Sequence, residues 1–391
     1  MLRLLRLSLT EFRSYRSLTW RPAARITVLF GPNGSGKTNL LEAVSLLVPG
    51  RGLRGARMAD LARRGPAAGG SWAVAARILT GDGPLDIGTG TPPEGPADRR
   101  VFLLDGARPR SQAEIAARVA AVWLTPQMDR LFQESASGRR RFLDRLVLAL
   151  EPAHARELSA HERAMAERAR LLAQGATDHA WLAGLEDQMA RHAVAAAAAR
   201  AALVARLDGA MEGGAVAGFP PARMALECPI AARLATEPAV AVEDWVRGSL
   251  AASRQHDAVA GGAAVGAHRA DLLLTEAASG LPAPLASTGE QKALLLGIVL
   301  AHAGLVAAAR GTAPLLLLDE PAVHLDPARR AALFAALLGL ESQVLITGTD
   351  AEIFLPLADR AEGLRTGGGR LGPDGRFGAA EPLVPPVPGA L

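Results

Sequence analysis

Arg25-Ile26-Thr27-Val28-Leu29-Phe30 runs directly into Gly31-Pro32-Asn33-Gly34-Ser35-Gly36-Lys37-Thr38, and Asn39-Leu40-Leu41-Glu42-Ala43-Val44 follows. The first six residues are largely apolar and partly β-branched, the pattern of a buried strand. The last six have helical character. The eight between them match G-x-x-x-x-G-K-[S/T] in full, in the strand–loop–helix context the pattern requires. Glycines at 31, 34 and 36 let the backbone curl so that its N–H groups point at a phosphate. The helix N-terminus adds the positive end of its dipole. Lys37 then reaches the β- and γ-phosphates of a nucleoside triphosphate, and the Thr38 hydroxyl ligates Mg²⁺. Pro32, Asn33, Ser35 and Asn39 complete the loop expected to hold ATP.

A strand of this kind needs a partner. Pro314-Leu315-Leu316-Leu317-Leu318-Asp319-Glu320 supplies one, because four consecutive leucines predict a strand buried on both faces in a parallel sheet. Open α/β sheets bind ligands at the C-terminal ends of their strands, where Asp319 and Glu320 stand. Asp319 is expected to hold Mg²⁺ and Glu320 to act as general base on the attacking water. Asp326-Pro327 reads as a helix start, and capping alone accounts for Asp326 there. Ser287-Thr288-Gly289-Glu290 has capping-box spacing and starts a further helix. Its N-terminus either is simply well capped or faces a second anion.

The 391 residues allow two or three domains, or one large domain with an insertion. Apolar residues make up 49% and charged residues 21%, which excludes a wholly disordered chain. One cysteine, Cys228, excludes an intrachain disulfide framework and a multi-cysteine metal site. The N-terminus is interrupted by arginines too often for a signal peptide. The apolar run 293–309 is short for a membrane span, carries His302 and sits between Lys292 and Arg310, so a buried helix is expected. A cytoplasmic protein without a membrane partner is the expectation. The net charge of +4 permits a polyanionic partner without requiring one. Lys37 and Lys292 are the chain's two lysines among 43 basic Lys and Arg residues. Each position is therefore a candidate for needing a compact ammonium rather than a guanidinium fork.

A phosphate loop near residue 35, a Ser-x-Gly-Glu sequence at Ser287 and a leucine-rich Asp-Glu strand about 30 residues later resemble an ABC-type ATPase head. In that family two heads sandwich two ATP molecules. The resemblance assigns Ser287 and Gly289 to the γ-phosphate bound by the other head and Gln127, after Pro126, to the glutamine loop; Glu290 and Asp326 are expected in the nucleotide site with them. The N-terminus narrows the family. Glu11-Phe12-Arg13-Ser14-Tyr15 resembles the opening motif of the RecF family of DNA replication and repair proteins. Arg139-Arg140-Arg141-Phe142-Leu143-Asp144 and Gly266-Ala267-His268-Arg269-Ala270-Asp271-Leu272 resemble two later motifs of it. Gln343-Val344-Leu345-Ile346-Thr347-Gly348-Thr349 resembles the segment where other ABC ATPases carry a switch histidine. With no histidine present, γ-phosphate sensing there falls to a hydroxyl or to nothing.

The expected fold is α/β: a mixed sheet with flanking helices in an ATPase head, interrupted by an α-helical arm. Residues 1–136 and 258–365 form the two halves of the head, 137–257 the arm, and 366–391 a hairpin and flexible tail. Segments 71–78, 84–90 and 100–104 read as strands, 91–98 as a Pro/Gly loop, and 139–150, 153–174, 178–209 and 242–255 as helices. The resemblance implies a slow, DNA-stimulated ATPase that dimerises on ATP and binds double-stranded and gapped DNA. It also implies RecO and RecR as partners in loading RecA and in the SOS response. Arg51, Arg54, Arg139, Arg140 and Arg141 are the candidate DNA contacts, and the alternatives are solvated loop arginines and a basic run at a helix start. A transporter nucleotide-binding subunit or a short SMC-type structural ATPase is the alternative function.

Overall fold

A computed structural model describes residues 2–64, 70–92, 99–175 and 178–378. Most of the expected 91–98 loop and the expected tail from 379 onward lie outside the described residues. The chain divides into two compact units. One is Met1–Asp129 with Val216–Phe219 and Ser287–Leu391; the other is Arg130–Ala215 with Pro220–Ala286.

In the first unit the two segments that fix the fold lie in one sheet. β3 (Ile26–Phe30), β7 (Ala121–Leu124), β10 (Leu315–Leu318) and β11 (Val344–Gly348) are buried at every position, as an apolar run inside a parallel sheet must be. With β12 (Ala361–Gly367) they run parallel in the order β12-β3-β11-β10-β7, and β13 (Arg370–Pro373) turns back antiparallel at the edge. Val28 lies opposite Ile346, Leu318 opposite Ile346 on its other side, and Leu318 opposite Leu124. That register brings the C-terminal ends of β3, β11, β10 and β7 to one edge, where their loops emerge side by side.

A second, antiparallel sheet joins β1 (Arg3–Phe12), β2 (Tyr15–Trp20), β4 (Ala73–Thr80), β5 (Gly83–Gly90) and β6 (Val101–Leu104) in the order β2-β1-β4-β5-β6. Burial alternates along β4, so one face packs and the other meets water. Helices α1 (Lys37–Ser45), α2 (Gln112–Arg118), α9 (Thr288–Arg310) and α10 (Pro327–Gly339) complete the unit. Ser287 caps α9 with both halves of the capping box formed, and Asp326 caps α10 ahead of Pro327. Among the described residues α9 alone is long and apolar enough to cross a membrane, yet most of it is buried in the protein.

The second unit holds α3 (Ala136–Leu150), α4 (His154–Ala173), α5 (His179–Glu212), α6 (Pro229–Leu234), α7 (Ala239–Ala252) and α8 (Arg254–Ala260). It runs wider than the 137–257 expected from the loss of strand signals. The physical reason is a strand pair: β8 (Ala222–Glu227) bonds antiparallel to β9 (Asp271–Glu276), which ties residues beyond 257 to this unit. Ala190, Ala193 and Ala197 of α5 are fully buried, and such small side chains permit close helix packing.

The same unit buries charge. Arg168, 1% exposed, donates to Glu186 at 3.0 Å, to Asp257 at 2.8 Å and to the Leu250 carbonyl at 2.6 Å. Arg254 forks across both Glu186 oxygens at 2.9 Å and 2.5 Å, sharing one of them with Arg168. Removing the central cation leaves a buried carboxylate without its counter-charge. Arg168→Ala leaves Asp257 buried without its cation, with only the Ser253 hydroxyl and the Ala264 amide donating to it, and should destabilise this unit by about 3–5 kcal/mol in denaturant unfolding. A loss below about 1 kcal/mol would show that water replaces the guanidinium without cost.

Candidate functional site

Gly36 caps α1 in the left-handed region at φ 106°, and a Cβ there would lie 2.9 Å from both the Ser14 Oγ and the Tyr15 hydroxyl. Only glycine fits that approach. The Tyr15 hydroxyl donates to the Gly36 carbonyl at 3.0 Å, and burial pushes its pKa up to about 12, so it stays a neutral donor. Arg13 at φ 53° lays its fork across Glu42 with two bonds of 2.8 Å. Asn39 donates to Ser14 at 2.9 Å and accepts from Arg54 at 2.8 Å. The turn between β1 and β2 is thus fastened to the start of α1.

Lys37 is 4% exposed, and its ammonium folds over the loop, donating to the Gly31 carbonyl at 2.6 Å and to Pro32 at 3.1 Å. Burial pulls its pKa below the ordinary lysine value; Glu320 and Asp319 pull it partly back. The neighbouring Thr38 hydroxyl donates to Asp319 Oδ1 at 3.0 Å, and the Thr347 hydroxyl donates to the same oxygen at 2.7 Å. Thr347 in turn accepts from the Glu320 amide at 2.9 Å. Burial raises the Asp319 pKa above the ordinary carboxylate value, the two hydroxyls oppose that rise, and Glu320 adds to it. Glu320 follows at φ 51°, a conformation a residue with a Cβ adopts at a cost.

The structure thus brings together Gly31, Pro32, Asn33, Gly34, Ser35, Gly36, Lys37, Thr38 and Asn39 with Asp319 and Glu320 along one sheet edge. Gln127 stands exposed just past β7 on the same edge. Ser287, Gly289 and Glu290 form the start of α9, where Ser287 and Glu290 bond to each other: the Ser287 amide and hydroxyl donate to the Glu290 carboxylate at 2.8 Å and 2.7 Å. Asp326 caps α10 through the Arg329 amide at 2.8 Å and remains exposed. An oxygen pair on Thr38 and Asp319 fits Mg²⁺, which prefers hard oxygen ligands.

The candidate DNA arginines separate. Arg51 is exposed, whereas Arg54 is engaged with Asn39 and with Glu42 at 3.3 Å. Arg139 forks onto Asp271 at 2.7 Å and 2.6 Å and holds that carboxyl below its ordinary value. Arg140 donates to the Ala270 carbonyl at 2.7 Å. Arg139 and Arg140 therefore join the two sequence motifs at 139–144 and 266–272. Asp144, of the first motif, accepts both arms of Arg200 at 2.7 Å and 2.9 Å. Arg141 is exposed, with Ser137 at 3.5 Å.

Two contributors escaped the sequence reading as site residues. Thr347 occupies the segment that lacks a histidine, but only the fold places its hydroxyl between Asp319 and Glu320. Tyr15 belongs to a quoted motif, but its bond to Gly36 spans two loops.

A model described as an AAA domain matches residues 6–66. The DNA replication and repair protein RecF of Mesorhizobium japonicum is 48% identical over 370 residues, covering 94% of this chain and 97% of that protein. RecF of Caulobacter vibrioides is 45% identical over 375 residues, covering 93% and 96%. Among solved structures, the recombination mediator protein RecF-ATP in the RecFOR pathway superposes with a TM-score of 0.80 at 20% identity over 95% of this chain and 99% of that one. An Smc head domain from Pyrococcus furiosus reaches 0.51 at 17% identity, over 95% of each chain.

Because its folded-state pKa is raised, ionised Asp319 costs stability at neutral pH, and the cost disappears as pH falls and the carboxyl protonates. Asp319→Asn should therefore raise the melting temperature at pH 7, and the gain should shrink as pH drops through the raised value toward the ordinary 3.8. Melting curves across that range check it. A variant less stable at pH 7 would mean that the two hydroxyls more than offset the burial.

Proposed function

The chain belongs to the RecF family of DNA replication and repair proteins, and on that premise we propose that it is an ATP-operated DNA clamp. The observation that carries this reading is the junction of Thr38, Asp319, Thr347 and Glu320. Those residues come from three segments of the chain and meet beside the phosphate loop. The loop amides and Lys37 bind the triphosphate, and the Lys37 ammonium exchanges loop carbonyls for phosphate oxygens. Thr38 and Asp319 hold Mg²⁺, which when bound neutralises charge on the phosphates. Glu320 takes a proton from the water whose oxygen attacks the γ-phosphorus, and the bond to the ADP oxygen breaks. Thr347 fixes both acidic residues, the role a switch side chain needs.

Ser287 and Gly289 stand on the exposed start of a long helix, suited to meet a phosphate bound by a second copy. Pairing of two copies then assembles two sites, and the pair binds double-stranded DNA and gap junctions through phosphate contacts. Arg51 and Arg141 make such contacts; Arg54, Arg139 and Arg140 position the elements around them. RecO and RecR partners, RecA loading and SOS induction follow from the family. Slow turnover resets the pair. The helices of the second unit support this over a chromosome-structural rod: α4 and α5 have 20 and 34 residues, about 30 and 50 Å of helix, far short of a long coiled coil.

Binding of a gapped duplex with and without ATP tests the proposal. The wild type should bind tighter with ATP, and affinity should fall steeply from low to moderate salt. Lys37→Ala should lose both ATP affinity in calorimetry and the ATP-dependent gain. Ser287→Arg should keep ATP affinity and lose the gain. DNA affinity indifferent to ATP in the wild type would reject the clamp.

A further inference from the structure

Lys292, the second of the chain's two lysines, is 1% exposed and lies in the second turn of α9. Its ammonium donates to the Glu320 carbonyl at 2.9 Å and to Asp129 Oδ2 at 3.2 Å. Burying a lysine is expensive, and a salt bridge with Asp129 only balances that expense. The bond to a main-chain carbonyl calls for another explanation. That carbonyl belongs to the residue at φ 51° which carries the proposed base, and His324, four residues on, stands at φ 66°. One turn before Lys292, a Cβ on Gly289 would lie 3.1 Å from the His324 carbonyl. The first two turns of α9 thus touch the Glu320–His324 turn at both of its left-handed residues. Such conformations persist only where their surroundings over-determine them. Glu320 is fixed from both sides, its amide by Thr347 and its carbonyl by Lys292. The other Asp129 oxygen is buried without a hydrogen-bond partner among the described residues, so Asp129 is spent on aiming the ammonium rather than on a network of its own.

We infer that Lys292 is a positioning residue, through which the phosphate-facing start of α9 sets the backbone of the proposed base Glu320 in the same chain. A compact ammonium suits the task because it can serve a carbonyl and a carboxylate from one point, which a planar guanidinium cannot do in the same space. The consequence is a link between the two sites of a pair. The α9 start that meets the partner's nucleotide governs the base acting on the chain's own. This inference rests on the ATPase reading above.

Steady-state ATP hydrolysis with gapped duplex, on the full chain, tests it with Lys292→Met and with Lys292→Met/Asp129→Asn. The single variant leaves Asp129 buried and unpaired and should melt lower; the double variant removes that charge and should recover most of the melting temperature. In the double variant kcat should stay down by about tenfold or more while KM and calorimetric ATP affinity remain within about threefold of the wild type. A double variant with wild-type kcat would reduce Lys292 to an ion-pair partner and overturn the inference. So would a parallel loss of ATP affinity and kcat, which marks a general structural role. Glu320→Gln, run alongside, separates the two levels. If it hydrolyses ATP like the wild type, or if the wild type does not hydrolyse ATP, the ATPase reading falls and takes the inference with it. If Glu320→Gln is slow and the Lys292 variants are not, the inference alone falls.

Discussion

A single buried carboxylate organises the head of this protein. Asp319 stands at the end of a strand with no exposed residue, and an ion in such a place costs several kcal/mol unless donors reach it. Two hydroxyls reach it, Thr38 from the phosphate loop and Thr347 from the neighbouring strand. They require β3, β11 and β10 to lie adjacent and in one register, which is the sheet order observed. The carboxyl nevertheless keeps a raised pKa, so the donors do not fully offset its burial. A position that is electrostatically unsatisfied and lined with oxygen is what a divalent cation relieves, and local discomfort of this kind is common where function overrides stability.

Strain enters beside it. Glu320 and His324 hold left-handed backbone without being glycine, and they bracket the turn that leads from β10 to α10. Thr347, Lys292 and the close approach at Gly289 hold that turn from three directions. Movement of α9 has a short mechanical route to the proposed base, with no need of a long chain of intermediates. The start of α9 faces outward while its body is buried, so the helix runs from the surface into the core.

What the sequence revealed was local. The phosphate loop, the four-leucine strand, the capping box at Ser287 and the helix start at Asp326-Pro327 are written in adjacent residues, and the structure has each where the spacing puts it. The α/β class and the helical insertion followed from the same signals. The limits of the insertion did not, because β8 is a short, half-exposed strand whose partner β9 lies more than 40 residues away in the chain. The arginines at 139 and 140 read equally well as a DNA-facing run, since nothing nearby in sequence announces Asp271 or the Ala270 carbonyl, 132 and 130 residues on. Thr347 was visible as a hydroxyl where a histidine is usual, but its two partners belong to a different strand end. Lys292 stood out only by rarity; its reason lies in a carbonyl 28 residues away.

The central claim is that ATP, bound at the Thr38–Asp319 edge, joins two copies of the chain through the exposed start of α9. Light scattering of the purified wild-type chain, with saturating ATP and Mg²⁺ and then without nucleotide, tests it most directly. A mass twice that of the single chain with nucleotide, returning to one chain without it, is the predicted result. A mass of one chain under both conditions, gapped duplex included, would contradict it.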